Sequence, residues 1–219
     1  MDVPGHPASR PAARYAVLVP VKRPAVAKSR LGGLGDPARI DLAHAFAADT
    51  VAAVLACPLV ARVLVVTDDH LLARQLSDLG ADVIPDGASD LNGTLVQAAA
   101  EMHRRDPHLG LVALCADLPA LRSTELTIAL EAADPASMSF VADEKRTGTT
   151  AVVAPTLELF RPSFGPGSRR QHLQRGAFEV DGIDVPGLRR DVDDPDDLAA
   201  AIELGVGPRT AMVTTALRL

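Results

Sequence analysis

Three short segments carry side chains whose types and spacing suit phosphate chemistry. The first is PVKRPAVAKSRL (Pro20–Leu31). It places Lys22, Arg23, Lys28 and Arg30, four of the chain's 22 basic residues, within nine positions, and Gly32, Gly33 and Gly35 follow. Glycines let a backbone approach a ligand closely, although the segment reads equally as a solvated surface loop. It matches neither GxxxxGK[ST] nor GxGxxG, so it is neither a P-loop nor a dinucleotide fingerprint. The second is Asp117, which closes the apolar run GLVALCA and precedes Leu118-Pro119. A carboxylate at the end of a buried strand can hold a hard cation, or simply shape a turn. The third is Asp191-Val192-Asp193-Asp194. Alternation puts Asp191 and Asp193 on one side of an extended chain. Two converging carboxylates repel, so a cation between them is the physical expectation. Helix capping suits Asp194 and Asp197 better. Aspartates beside basic residues fit magnesium, which takes a few carboxylates and completes its shell with phosphate oxygens and water.

The elements that must position these groups are read from hydrophobic pattern and punctuation. Apolar runs at Tyr15–Val21, Arg62–Thr67, Ala81–Ile84 and Gly110–Ala116 read as strands buried on both faces. Helices are expected between them: from an Asp36 cap with Pro37 behind it to before Pro58, over Asp68–Leu79, and over Asn92–Arg104. Another is expected behind a Ser123 cap. This β-α alternation is the mark of a mainly parallel, doubly wound sheet flanked by helices. The alternation then breaks. Ser139–Ala142 and Thr150–Ala154 read as strands around a polar turn, with a short helix from Thr156 and a Pro/Gly loop at Pro162–Gly167. Asp194-Pro195 caps a last amphipathic helix to about Leu204. In open sheets of this kind ligands lie beyond the carboxyl ends of the strands, where all three chemical segments fall.

Length and composition bound the rest. The 219 residues fit one α/β domain, with residues 1–14 as a flexible Pro/Ala/Arg-rich tail and 15–219 as the folded unit. Aromatics are only 3%, so Val, Leu, Ile and Ala must fill the core. A net charge of −6 disfavours a general nucleic-acid binder, though cations converging locally can still bind a nucleotide. Cys57 and Cys115 form no CxxC or Cys/His cluster, which argues against zinc. Cys115 is expected to be a buried, inert thiol. Neither a signal peptide nor a membrane span is legible, and a cytoplasmic location is the default expectation. The apolar tail Gly205–Leu219 is expected to cover a sheet edge or to meet a second copy in a homodimer.

Across Tyr15–Gly207 the chain resembles the 2-phospho-L-lactate/phosphoenolpyruvate guanylyltransferases of coenzyme F-420 biosynthesis. The resemblance lies in PVKRPAVAKSRL, DLNGTLVQA (Asp90–Ala98), CADLPAL (Cys115–Leu121), TGTTAVV (Thr147–Val153), FGPGS (Phe164–Ser168) and GLRRDVDDPDDL (Gly187–Leu198). It implies a single-domain nucleotidyltransferase fold, GT-A-like and Rossmann-like, in which GTP gives GMP to a phosphorylated three-carbon acid. Carried over residue by residue, Asp117, Asp191 and Asp193 would hold Mg2+. Thr149, Gly165 and Ser168 would bind the acid's carboxylate, with Ser168 opening a helix. Lys22, Lys28 and Arg30 would grip the GTP phosphates, and Asn92 with the loop near Pro85 would lie against guanine or ribose. Lys22, Lys28 and Asp117 would be the catalytic groups. The family usually shows Gly-Thr-Gly-Thr-Asn where this chain has Arg146-Thr147-Gly148-Thr149-Thr150; Arg146 is then either an added phosphate contact or a solvent-facing side chain.

The resemblance implies in-line attack of the acid's phosphate on the α-phosphorus of GTP. A phosphate already ionised needs no general base, so His44, His103, His108 and His172 are not required, and His172 is expected on a helix surface. Of the two acids, phosphoenolpyruvate is favoured by the Ala/Arg/Asp/Gly-rich composition, and the labile product suggests hand-over to the next enzyme of the pathway. Two rivals stand beside this reading. One is a nucleotidyltransferase for a sugar phosphate or molybdopterin, which would show a glycine-rich LAGG-type loop where this chain has PVKRP. The other is a non-catalytic nucleotide-binding module, which would not need all three acids.

Overall fold

The computed structural model of the protein describes residues 14–22 and 35–219. In chain order these form β1 (Tyr15–Pro20), α1 (Asp36–Leu55), β2 (Val60–Val66), α2 (His70–Asp78), β3 (Asp82–Ile84), α3 (Leu91–Arg105), β4 (Gly110–Leu114) and α4 (Ser123–Ala132). There follow β5 (Ser139–Ala142), β6 (Thr149–Ala154), α5 (Ser168–Gln174), β7 (Phe178–Glu179), α6 (Pro186–Arg189), α7 (Pro195–Leu204) and α8 (Pro208–Leu217). The strands join into one sheet in the order β3-β2-β1-β4-β6-β5-β7. β3, β2, β1 and β4 run parallel, and β6 runs against both β4 and β5. The expected α/β architecture with a mainly parallel mixed sheet is therefore the observed one.

Each central strand serves two cores because its side chains alternate between faces. Val17, Val19, Val112, Leu114, Ala151 and Val153 point into the core beneath α1, α2 and α4. Their neighbours Ala16, Leu18, Leu111, Ala113, Val152 and Ala154 point to the opposite face, against Leu95, Ala98, Ala99 and Met102 of α3. Both faces are covered, which is why these strands read as unbroken apolar runs. The core is almost wholly aliphatic, with Phe46 and Phe140 the largest fully buried rings.

Several local expectations are corrected. Gly35, not Asp36, is the N-cap of α1, so Asp36 lies in the first turn. α4 is preceded by Arg122 rather than capped by Ser123. Its first turn is held by Glu125, whose carboxylate accepts from Arg122 N–H at 3.0 Å and from Gly187 N–H at 2.8 Å. The segment after Thr156 closes as a turn, not a helix, with Phe160 N–H donating to the Leu157 carbonyl at 3.1 Å. Arg14, counted with the tail, is already tied in: its N–H donates to Leu59 and its carbonyl accepts from Gly110. No helix among the described residues is long and apolar enough to cross a membrane.

The C-terminal segment packs on α1 instead of a sheet edge. Leu42 and Phe46 of α1 share a third core with Leu198, Ala201 and the partly buried Val213 and Leu217. The polar link is Asp49, 5% exposed, which accepts from Thr210 N–H at 2.7 Å and Arg209 N–H at 3.2 Å and so caps α8. Asp49→Ala would leave these buried donors without an acceptor. We expect a loss of about 2 kcal/mol in unfolding free energy, read from urea titrations, with amide exchange rising first in α8.

Candidate functional site

A parallel sheet brings the carboxyl ends of its strands to one edge, and the antiparallel strand β6 begins at that edge. Asp117 lies three residues beyond the end of β4, Asp143 directly follows β5, and Thr149 opens β6. The main chain ties these ends together: Cys115 N–H donates to Thr150 at 2.9 Å, and Val192 N–H to the Asp117 carbonyl at 3.1 Å. The second bond lays the acidic segment 191–193 against the loop that follows β4.

Two adjoining hollows open here. The larger, about 540 Å³, is walled by Asp143, Thr147–Thr149, Phe164–Ser168, Asp191 and Asp193. The smaller, about 200 Å³, is mostly apolar and is walled by Pro20–Lys22, Ala43, Phe46, Leu95 and Ala116-Asp117. Leu91, Cys115 and Phe164 belong to both walls. The sequence candidates thus sort into two groups. Thr149, Gly165, Ser168, Asp191 and Asp193 share the larger hollow, whereas Lys22 and Asp117 line the smaller one. Lys28 and Arg30 lie outside the described residues. Cys115, expected to be buried, is only partly so and lies between the two hollows.

The five aspartates of DVDDPDDL are divided by geometry. Asp194 caps α7, accepting from Asp197 N–H at 2.9 Å. Asp197 is buried, so it is more than a cap. It pairs with Lys145 at 2.8 Å, which raises the lysine's pKa, and it accepts from Asp193 N–H at 3.2 Å. Asp196 lies exposed in the first turn of α7. Asp191 and Asp193 face the larger hollow. Burial, then the charges of Asp117, Asp193 and Asp143, push the Asp191 carboxyl up to about 7. Four carboxylates therefore lie within electrostatic reach of one another. Among the described residues no three His, Cys, Asp or Glu side chains form a ready-made metal cage. Magnesium needs only one or two carboxylates once substrate phosphates join its shell, and this set of hard oxygen donors fits that demand.

Asp143 was not singled out from the sequence, although its signal was the one that found Asp117: an apolar strand ending in an acid. Asp143 also builds the turn before Thr149. Its carboxylate accepts from Thr147 N–H at 2.8 Å, and a Cβ on Gly148 would stand 2.6 Å from Asp143 Oδ2. A side chain at 148 would therefore have to displace the Asp143 carboxylate, which accepts from Thr147 N–H. Thr50 is a second omission. Fully buried in α1, its hydroxyl donates to the Ala116 carbonyl (3.2 Å) and accepts from Leu118 N–H (3.1 Å), pinning the chain on both sides of Asp117. A lone threonine inside an apolar helix gives no sequence sign of such a partner.

Two expectations about side chains change. Arg146 neither reaches into the hollow nor points free to solvent. It sits in a left-handed turn at φ 56°, with its guanidinium bonded to Asp181 (2.8 Å) and Glu179 (2.9 Å). His172 is not on a helix surface. It is fully buried, stacked on Phe140 with centroids 5.3 Å apart and met edge-on by Phe164 at 5.9 Å. Its Nε2 accepts from Ser163 N–H at 3.0 Å, so the proton must sit on Nδ1, which faces Thr149 Oγ1 at 3.0 Å.

With this geometry in place the comparisons can be read. Residues 15–218 match the sequence model of the family described as Guanylyl transferase CofC like. The chain belongs to that family. A phosphoenolpyruvate guanylyltransferase from Thermomonospora curvata is 50% identical over 200 residues, covering 90% of this chain and 87% of the relative. One from Streptomyces scabiei is 48% identical over 210 residues, covering 93% and 97%. Among solved structures, a 4-diphosphocytidyl-2C-methyl-D-erythritol synthase matches with TM-score 0.59 at 14% identity, covering 87% of this chain and 99% of its own. A nucleotidyl transferase from Methanothermobacter thermautotroptrophicus matches with TM-score 0.55 at 16% identity, covering 87% and 97%. At these identities the structures show the shared nucleotidyltransferase fold alone. Membership of a guanylyl transferase family answers the non-catalytic rival.

His172 makes stability depend on pH. Burial, and next the nearby Arg175 charge, lower its pKa from 6.5 to about 4. Below about pH 6.5 the unfolded chain takes a proton that the folded chain refuses until about pH 4. Folding free energy should therefore fall as the pH drops through that window, by about 3 kcal/mol at its lower end. Urea titrations between pH 7 and 4.5 measure the slope. His172→Asn should be less stable at pH 7 yet lose less on acidification, and parallel slopes would overturn the assignment.

Proposed function

We propose that the protein transfers GMP from GTP to phosphoenolpyruvate, releasing pyrophosphate and yielding enolpyruvyl-diphosphoguanosine for coenzyme F-420 biosynthesis. The observation that carries this reading is the identity of 45–50% to relatives named phosphoenolpyruvate guanylyltransferase, over nine-tenths or more of the chain. The site's chemistry supports it. A phosphate oxygen of the acid forms the new bond to the α-phosphorus of GTP as the bond to the β-phosphate bridging oxygen breaks. The attacking oxygen is already deprotonated near neutral pH. No side chain has to take a proton, which agrees with a site whose nearest histidine is buried and committed to structural bonds.

In this reading Asp117, Asp191 and Asp193 draw in Mg2+, which supplies charge neutralisation to the triphosphate when bound. Asp143 adds a fourth oxygen donor within reach. Thr149, Gly165 and Ser168 receive the acid in the larger hollow. Gly165 and Gly167, at φ 127° and 69°, turn the loop so that Ser168 N–H closes onto the Gly165 carbonyl at 3.0 Å, while the N–H groups of the two glycines meet no acceptor among the described residues. A carboxylate fits such donors. Lys22, exposed at the rim of the smaller hollow, would steady the phosphates with Lys28 and Arg30. The protein's task is alignment of two anions that repel each other, together with screening of their charge.

Incubation with GTP, Mg2+ and either phosphoenolpyruvate or 2-phospho-L-lactate, followed by mass spectrometry, identifies the acid. We expect the phosphoenolpyruvate adduct and pyrophosphate, with activity lost on EDTA treatment and restored by added Mg2+. Asp117→Asn should lower turnover about 100-fold or more while leaving the circular dichroism spectrum unchanged. Near-normal turnover in that variant would overturn the metal assignment.

A further inference from the structure

We infer that Asn92 is a positioning residue for the acid-binding loop and not a contact for the nucleotide. Its side-chain amide closes two hydrogen bonds on a single residue 72 positions away. Phe164 N–H donates to Asn92 Oδ1 at 2.8 Å, and Asn92 Nδ2 donates to the Phe164 carbonyl at 3.0 Å. The orientation of the amide is fixed, because a backbone N–H can only donate and a carbonyl can only accept. Both polar groups of the Phe164 main chain are thereby satisfied by one side chain, as they would be in a strand ladder. Asn92 is itself held in the first turn of α3, where its N–H donates to the capping carboxylate of Asp90 at 3.0 Å. The anchor is therefore a rigid helix end.

Phe164 is where the Pro162–Gly167 loop needs an anchor. The next residues, Gly165-Pro166-Gly167, contain two glycines in left-handed conformations and carry no β-ladder bonds. Such a segment has high conformational freedom when unanchored. On the other side, Ser163 N–H is held by His172, which also holds the Thr149 hydroxyl. Asn92 and His172 thus grip consecutive residues from α3 and α5, and the loop turns into the larger hollow immediately after them. An amide with both ends occupied by main chain is poorly placed to read guanine or ribose as well.

This inference rests on the reading that Thr149, Gly165 and Ser168 receive the phosphorylated acid. It is tested with Asn92→Ala, which removes both bonds, and Asn92→Asp, which keeps the acceptor but sets a carboxylate against the Phe164 carbonyl. Hydrogen exchange on the ligand-free protein reports the loop directly. Steady-state kinetics with GTP and phosphoenolpyruvate report the substrates. We expect exchange over 163–168 to rise about tenfold or more and KM for phosphoenolpyruvate to rise by a similar factor. KM for GTP should stay within about twofold, and Asn92→Asp should not restore the loop. Unchanged exchange with a raised KM for GTP would overturn the inference and make Asn92 a nucleotide contact. A loosened loop with an unchanged KM for phosphoenolpyruvate would confirm Asn92 as the anchor and overturn the placement of the acid.

Discussion

The site depends on strand direction. Four parallel strands deliver their carboxyl ends to one edge, and β6 is reversed so that it starts where β4 and β5 stop. This places Thr149, at the head of one strand, beside Asp143, at the tail of the next, across a turn in which a side chain at Gly148 would meet the Asp143 carboxylate. Had β6 run parallel, Thr149 would lie at the opposite edge, one strand length from the acids. The reversal also explains the two-part wall. β1, β4 and α1 enclose the smaller hollow, while the β5–β6 turn and the loop before α5 enclose the larger.

Buried polar side chains turn this edge into fixed geometry. Thr50 brackets Asp117, His172 joins Thr149 to Ser163, Asn92 holds Phe164, and Asp49 secures the C-terminal helix. Each such bond adds only about 1 kcal/mol net, yet removing one partner leaves a desolvated group that costs more. The arrangement stabilises the fold weakly and specifies it strongly. A loop drawn from Gly and Pro has little preference of its own, and it acquires one shape because its backbone groups find partners on α3 and α5.

The layers of the fold were legible in the sequence because apolar runs and caps are local signals. The strand runs from Tyr15, Arg62 and Gly110 and the Asp194-Pro195 helix start lie within two residues of their observed places. Asp117 stands out as an acid after an apolar run, and Asp191 and Asp193 as an alternating pair of acids; the bond from Val192 N–H to the Asp117 carbonyl brings the two segments together. Side-chain partnership was not legible. His172 looked like a surface residue because its helix is short and polar, and its burial is decided by Phe140 of β5 and Phe164 of the preceding loop, whose packing local pattern does not report. Arg146 looked like a candidate phosphate ligand because nothing nearby in sequence announces Glu179 and Asp181. Asn92 was matched to a role by motif, and its bond to the Phe164 main chain, 72 residues on, left no mark in the sequence. Local pattern reports the elements, whereas the bonds between loops exist only once the sheet is assembled.

Charge explains why an acidic chain can tolerate its own site. Within Asp191–Asp197 the neutralising partners are distributed unevenly: Asp194 faces the N-terminus of α7 and Asp197 holds Lys145. Both sit where an acid stabilises the fold. Asp191 is instead half-buried near Asp117, Asp193 and Asp143, and its desolvation, followed by these charges, raises its pKa. Such an arrangement costs folding free energy when all four groups are ionised, because like charges at short range repel more strongly away from water. A surface selected only for stability would replace one of them. Retaining the set is intelligible if these acids would hold a hard cation together with substrate phosphate, since the repulsion among them would then become affinity for that cation. Under this account the acids need not converge into a closed cage beforehand. An open set, completed by a bound triphosphate, would tie cation binding to the presence of substrate.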